Sequence, residues 1–263
     1  APAPPLAATD AGAAFAQEFL LVRDGRWFGK YPPGYPAVLA VGVRAGAPWL
    51  VNPLLAALTV ALVYALARRL GGSAYPAWSA ALAALLLATS PFFVVMSGSL
   101  MAHPAELLWT ALFMCAWTAA LARGASWRPA AVAGAALGAL FLTRQFTAAT
   151  VGLAFGGGWL LVALWSGGRA ARAGRRRVAW TVVVAALAAL PFVVALPAYQ
   201  AAVTGDPRAD PRLLYWPYDR VGFGPGVGEP ENAFTMTLAP SSTPAGAALT
   251  WYTDPAQPPR GHS

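Results

Sequence analysis

Six long apolar stretches restrict the possible folds of this chain more than any other feature of its sequence. A transmembrane helix needs about 20 consecutive apolar residues to cross roughly 30 Å of hydrocarbon. Five stretches approach that length, the fourth is shorter, and the only charge within any of them is Glu106. The stretches are residues 50–67, 75–95, 105–121, 129–143, 146–165 and 178–201. They predict an all-α integral membrane protein with about six transmembrane helices.

The composition favours the same class of protein. Hydrophobic residues make up 58% of the chain and charged residues only 11%, whereas a soluble domain has about a quarter of its residues charged. The net charge of +8 could indicate nucleic acid binding. Many of the basic residues, however, stand in short clusters between apolar stretches, where they act as topology signals. We therefore predict contact with membrane lipids and no nucleic acid partner.

The distribution of arginine predicts an orientation in the membrane. Arginines cluster in every second connection between the apolar stretches, and the connection at 97–102 contains neither lysine nor arginine. By the positive-inside rule, the arginine-bearing connections are cytoplasmic. The segments predicted to face away from the cytoplasm are residues 1–49, the turn at 97–103, the turn at Arg144 and the segment from 203 onward.

The segments around the apolar stretches complete the predicted organisation. Residues 37–47 are apolar but short and interrupted by Arg44, which favours an interfacial or re-entrant helix. The segment from 203 is rich in proline, glycine and aromatic residues without a clear period, which predicts an irregular external tail. We expect an external segment at 1–36, a transmembrane helical domain at 37–202 and the start of an external domain at 203–263. We also expect the chain to be part of a longer protein.

Lys30 is the first residue that could bind a ligand. It precedes Tyr31, Pro32 and Pro33, just before the first membrane segment. The prolines keep the backbone stiff and extended, so the ammonium group is presented at a fixed place near headgroup level, where it suits a phosphate. The alternative is a lysine that merely snorkels among interfacial aromatic residues. The residues alone favour this alternative.

Three further polar residues stand at predicted helix ends on the same face. Arg144 lies between the fourth and fifth stretches with almost no loop around it, which suits either a phosphate site or a snorkelling cation. His103 and Glu106 open the third stretch around Pro104, a residue that fits a first helical turn. The two side chains could perform acid–base chemistry, or Glu106 could simply stabilise the helix terminus. Two residues do not make a metal site, so none is predicted.

Four segments of the sequence resemble the lipid-linked-sugar glycosyltransferases of the GT-C superfamily. The closer resemblance is to bacterial relatives of protein O-mannosyltransferases and aminoarabinose transferases, which are similar to glycosyltransferase family 39. The segments extend over most of the chain. They read RWFGKYPPGYP at 26–36, SPFF to SGS at 90–99, GALFLTR at 138–144, and TGDP at 204–207 with DRVGFGPG at 219–226.

This resemblance implies an inverting transfer of sugar from a polyprenyl-phosphate donor to an acceptor on the non-cytoplasmic face of the bacterial inner membrane. In the family, cations near that face hold the lipid phosphate, and Lys30, with Tyr31 beside it, and Arg144 match those positions. The family's general base belongs to an acidic pair that this sequence lacks, so we expect the main base upstream of Ala1. His103 stands where the family often has an aspartate, and it remains a catalytic candidate together with Glu106. A divalent metal ion is left open as a cofactor.

Two other functions compete with the transferase. A transporter or flippase component would carry polar residues near mid-membrane on broken helices, whereas here they gather at one face and the centres of the spans are apolar. A non-catalytic membrane scaffold would lack the same acidic pair, so this alternative stays open. The sequence indicates neither the sugar nor the acceptor.

Overall fold

The computed structural model describes residues 20–23, 26–71, 77–122, 127–165 and 171–215, and nearly all of them are helical. The chain divides into two compact units, one formed by Pro32–Ala195 and the other by Ala1–Tyr31 with Leu196–Ser263. The predicted all-α fold is confirmed. The part of the predicted tail from residue 216 onward lies outside the described residues.

The helices follow one another with short connections. They are α1 Gly34–Arg44, α2 Val51–Gly71, α3 Ala77–Ala88, α4 Pro91–Ser97, α5 His103–Leu121, α6 Trp127–Thr143, α7 Gln145–Val151, α8 Gly158–Trp165, α9 Ala171–Thr204 and α10 Pro211–Tyr215. A 3₁₀ turn, Pro48–Leu50, precedes α2, and a π-helix, Gly152–Gly157, joins α7 to α8.

An antiparallel hairpin precedes the helices and was not predicted from the sequence. Its strands are β1 Leu20–Arg23 and β2 Arg26–Gly29, and Leu21 pairs with Phe28. Both of these side chains are buried. The hairpin therefore gives part of the segment before Lys30 a regular structure, and the external location of that segment stays a prediction.

Four helical stretches are long and apolar enough to cross a membrane. They are Pro48–Gly71, His103–Leu121, Gln145–Val162 and Arg176–Thr204. Helices α3 and α4, which are bent by 61° at the break between them, are long and apolar enough for a fifth only when taken as a single broken span, and a re-entrant loop is the other arrangement that fits this geometry. Helix α6 is apolar but has only 17 residues, in agreement with the short fourth stretch of the sequence. All six predicted stretches are thus helical, and the protein is an integral membrane protein.

The bend between α3 and α4 has a local cause. Pro91 begins α4, and Ser90 before it is extended, with φ −62° and ψ 122°. The proline ring disfavours the α-helical region for the residue that precedes it, so a straight helix cannot continue through this point. Helix α4 then leads through the turn at 98–102 to the start of α5.

Helices α5 and α6 pack on each other and form the centre of the larger unit. Their core contains Phe113, Ala116 and Trp117 from α5 with Ala133 and Ala136 from α6. Small residues let the two backbones approach closely. Since Trp117 is buried, its indole Nε1 needs a partner, and it donates a hydrogen bond of 3.0 Å to the carbonyl of Gly156 in the π-helix.

Two glycines of α6 allow α9 to approach. A Cβ on Gly138 would lie 2.7 Å from the ring of Phe192, and one on Gly134 would overlap the backbone of Ala185. The small-residue spacing in α6 therefore serves helix packing. Large apolar side chains on the outside of the helices are exposed, as lipid-facing positions require, among them Leu54, Leu86, Val94, Leu153 and Leu187.

Candidate active site at the helix ends

The start of α5 and the junction of α6 with α7 bring three of the predicted residues together. The Arg144 Nε lies 3.1 Å from Oε2 of Glu106. Thr147, on α7, donates a hydrogen bond of 2.5 Å to Oε1 of the same carboxylate. Both carboxylate oxygens are thus engaged, one by a guanidinium and one by a hydroxyl.

His103 completes this cluster. Its Nδ1 lies 3.5 Å from Oε2 of Glu106, and its Nε2 lies 3.5 Å from Nη2 of Arg144. A guanidinium can only donate, so the contact with Arg144 suits the neutral tautomer that carries its proton on Nδ1, facing the carboxylate. The ring also meets the edge of Phe92, with the ring centroids 6.2 Å apart.

Exposure differs among the three charged or titratable side chains. The Glu106 side chain is 15% exposed, that of His103 31% and that of Arg144 45%. The carboxylate is therefore the inner member of the cluster, and the guanidinium is its outer member. Arg144 is held on one side by Glu106 while it remains accessible to a ligand on the other.

The backbone explains why Arg144 stands at this point. Arg144 is extended, with φ −152° and ψ 103°, and is the N-cap residue of α7. Its N–H donates to the carbonyl of Leu140, and its own carbonyl accepts from the N–H of Ala148. A single residue thus separates two helices without leaving its own peptide groups unpaired. At the neighbouring helix start, Glu106 occupies the first turn of α5, where the helix dipole favours a negative charge.

Gly34 ties the proline-rich segment to this site. A Cβ at Gly34 would lie 2.6 Å from the carbonyl group of Leu142 and 2.7 Å from the nitrogen of Thr143. Only a residue without a side chain permits this approach. The first residue of α1 therefore contacts the backbone immediately before Arg144. Sequence reasoning did not single out Gly34 or Thr147, because neither residue type is unusual at its position.

Tyr35, the next residue of α1, packs beneath the start of α5. It forms an apolar cluster with Leu55, Ala105 and Leu108. Burial raises the pKa of the Tyr35 hydroxyl above its usual value of 10.0, and the side chain of Asn52 beside it partly opposes this rise. The hydroxyl therefore stays protonated at neutral pH.

Lys30 and Tyr31 belong to the smaller unit. Lys30 is 1% exposed, and its Nζ lies 4.8 Å from the centroid of the Tyr31 ring, a cation–π contact. A snorkelling lysine keeps its ammonium group in water, so this burial disfavours that alternative. The role of both residues in binding a lipid phosphate stays a prediction.

The described residues offer no metal centre. Within the described ranges, no group of three or more His, Cys, Asp or Glu side chains could hold a metal ion. His103 and Glu106 supply too few ligands by themselves. The guanidinium of Arg144 can donate to an anion, and the imidazole of His103 can transfer a proton.

A comparison with known protein families identifies the chain. The family model described as dolichyl-phosphate-mannose-protein mannosyltransferase matches residues 36–195, which is more than half of the sequence. The chain belongs to this mannosyltransferase family. No curated protein and no solved structure matches the chain.

Membership of the mannosyltransferase family establishes a membrane glycosyltransferase of the GT-C type, a class of enzyme that uses a lipid-linked sugar donor. The prediction of a glycosyltransferase is therefore confirmed. The matched region contains the whole cluster of His103, Glu106, Arg144 and Thr147. Lys30 and Tyr31 precede that region.

Proposed function

We propose that this mannosyltransferase-family protein transfers a sugar, with inversion, from a polyprenyl-phosphate carrier to an acceptor. The transfer takes place on the non-cytoplasmic face of a bacterial inner membrane. One observation carries this proposal: a half-exposed arginine, fixed by a carboxylate, stands at the helix ends of a membrane glycosyltransferase. The arginine distribution supports the orientation, because the connections at the opposite helix ends contain arginine and no acidic residue.

Arg144 has the chemistry to bind the phosphate of the carrier. A guanidinium recognises phosphate through a planar set of donors. Glu106 engages Nε, and His103 lies near only one of the two Nη atoms, so donors remain for a ligand. On the basis of the resemblance alone, we also propose that Lys30 and Tyr31 bind phosphate.

Glu106 and His103 have different proposed roles. Because Arg144 and Thr147 engage both oxygens of Glu106, this carboxylate orients the guanidinium. His103 can move a proton at Nε2 while Glu106 holds Nδ1, an arrangement that suits acid–base catalysis.

The gathering of the polar side chains at one end of α5 argues against a transporter. A transport pathway needs polar groups along the depth of the membrane. Helix α5 carries its charged side chain in the first turn, and its buried middle section is formed by Phe113, Ala116 and Trp117. A site at one membrane face suits a transferase that works at the headgroup level.

Substitution of Arg144 tests the proposal. The full-length protein in lipid nanodiscs receives a polyprenyl-phosphate-linked mannose donor and a cell-envelope extract that supplies the acceptor, and release of the polyprenyl phosphate is measured against donor concentration. We expect Arg144→Gln to raise the KM for the donor by about 10- to 100-fold, since a charge-assisted hydrogen bond contributes about 1.5–3 kcal/mol.

Arg68→Gln is the matched control. Arg68 is exposed near the end of α2 and lies in an arginine-bearing connection at the opposite helix ends, so the same loss of charge there should leave the KM unchanged. An unchanged KM in Arg144→Gln, with turnover intact, would exclude Arg144 from the phosphate site. A wild-type protein that releases no polyprenyl phosphate from the donor in the presence of the acceptor extract would reject the transferase itself and leave the scaffold alternative.

A further inference from the structure

Asn52, in the first turn of α2, makes two long-range hydrogen bonds. Its side chain is almost completely buried, at 1% exposure. The amide Nδ2 donates to the carbonyl of Ser99 at 2.6 Å and to the carbonyl of Met101 at 2.8 Å. The two acceptors lie 47 and 49 residues further along the chain. Both hydrogens of one amide group are therefore used to hold a single turn.

The turn that Asn52 holds leads directly into the candidate site. It connects α4 to α5, and Met101 lies two residues before His103. The other side-chain hydrogen bonds of the turn are local: the hydroxyl of Ser99 donates to the carbonyl of Met96 and accepts from the N–H of Met101. These local bonds shape the turn, whereas those from Asn52 fix it to a different helix.

The opposite side of the Asn52 amide is also buried. Within the described part of the chain, Asn52 Oδ1 and the hydroxyl of Tyr35 are buried and form no hydrogen bond of regular geometry. The two side chains are neighbours, and Tyr35 packs with Ala105 of α5. Buried polar atoms cannot bond to water, so a side-chain arrangement in which they form hydrogen bonds with each other is stabilised. Asn52 therefore stands between α1 and the turn, with a polar atom directed to each.

We propose that Asn52 is a positioning residue, which fixes the turn at 98–102 and thereby sets the place of the His103 ring beside Glu106 and Arg144. The inference rests on the proposed function only where it concerns turnover. The ring contacts of His103 are both 3.5 Å long, near the limit for a hydrogen bond. A small displacement of the turn is therefore enough to break them. Arg144 pairs with Glu106, whose other oxygen accepts a hydrogen bond from Thr147 of α7, so this ion pair has a support that the turn does not supply.

Amide hydrogen exchange tests the structural part of the inference, without any need for activity. The full-length protein in nanodiscs is compared with Asn52→Ala and with Asn52→Asp, which keeps the size of the side chain but removes both donors. We expect the amides of 98–103 to exchange about tenfold faster in both variants, because two hydrogen bonds that close the turn are lost. If Asn52→Ala does not fold, hydrogen exchange is compared between the wild type and Asn52→Asp alone.

Thr59→Ala is the matched control. Thr59 lies on the same helix and is equally buried at 1% exposure, but its hydroxyl donates to Leu55 of its own helix. This variant should leave exchange at 98–103 unchanged. Equal exchange of the turn in the wild type and both Asn52 variants would overturn the inference, as would an equal acceleration in Thr59→Ala.

Turnover separates the positioning role from a purely structural one. We expect kcat to fall by at least about tenfold in both Asn52 variants with the KM for the donor within about twofold, because a displaced catalytic group affects the reaction step more than binding. Faster exchange with an unchanged kcat would show that Asn52 holds the turn without positioning His103, and would overturn the proposed role. Faster exchange in a protein whose wild type has no transferase activity would reject the proposed function and keep the turn assignment.

Discussion

The two ends of α5 show what the same side chain, arginine, does in two different settings. At the His103 end, Arg144 forms an ion pair with Glu106 inside a cluster that also contains Thr147. At the Leu121 end, Nη2 of Arg177 lies 3.4 Å from the carbonyl of Leu121. Among the described residues, no arginine of the connections at that end makes an ion pair, and those connections contain no acidic residue.

This difference is the one expected between an arginine that binds a ligand and an arginine that serves as a topology signal. An arginine that orients a protein in the membrane needs water and headgroups around it, and no fixed geometry. An arginine that binds one phosphate needs a partner that fixes its guanidinium. Among the described residues, the His103 end of α5 alone supplies such a partner, which supports the proposal that the phosphate binds at that end.

The largest effect is expected from Glu106→Gln, which disrupts the cluster at the His103 end of α5. The new amide can still accept from Thr147, but its NH₂ group would face the guanidinium donor of Arg144. We expect donor turnover to fall about 100-fold, because a charge-assisted hydrogen bond is lost and Arg144 is no longer oriented. The measurement is polyprenyl phosphate release in nanodiscs.

A double-mutant cycle sharpens this result. If Glu106 acts by orienting Arg144, the double variant Glu106→Gln/Arg144→Gln should have nearly the same donor turnover as the less active of the two single variants. Strictly additive losses would show that Glu106 has a separate role. Asp206→Asn is a suitable control, since Asp206 accepts a hydrogen bond from the backbone of Arg208 in the other unit.

Gly34→Ala should have an intermediate effect, on stability as well as on the site. The added Cβ would lie within van der Waals overlap of the backbone at Leu142 and Thr143. Overpacking of this kind costs about 1–3 kcal/mol, which should appear as a lower Tm of the protein in detergent. Gly98→Ala provides the control, because the nearest atom to a Cβ there is 3.7 Å away. An equal Tm for both variants would contradict the close contact between α1 and α6.

The smallest effect is expected from Arg177→Gln, at the Leu121 end of α5. The side chain loses a long hydrogen bond to the last turn of α5 and a favourable interaction with its helix dipole. Together these contribute about 0.3–1 kcal/mol. We expect a small decrease in Tm and an unchanged KM for the donor. A loss of donor binding as large as that in Arg144→Gln would remove the distinction between the two ends.

The sequence predicted the helices well because each one is long, apolar and bounded by charged or helix-breaking residues. It did not predict the 61° bend, although Pro91 was visible, because the apolar stretch of 75–95 continues through it. The hairpin before Lys30 was missed as well, since each strand has only four residues.

The candidate site was predicted in part. Arg144, His103 and Glu106 are conspicuous as polar residues at the ends of apolar stretches, and the structure brings them together. Thr147 and Asn52 are not conspicuous, because an isolated threonine or asparagine is common in such helices. Their partners lie 41 to 49 residues away along the chain, and only the packing of the helices reveals them.

The short length of α6 has a consequence for the bilayer. Its 17 residues span about 25 Å, since each residue of an α-helix rises about 1.5 Å, whereas the hydrocarbon layer is about 30 Å thick. The resulting hydrophobic mismatch is relieved where lipids beside α6 thin locally or where water enters above its end. If α6 crosses the bilayer, Arg144, which directly follows it, lies below the level of the surrounding headgroups. Under the proposed function, the carrier phosphate would then be drawn inward, and the acyl-chain length of the host membrane would affect the reaction.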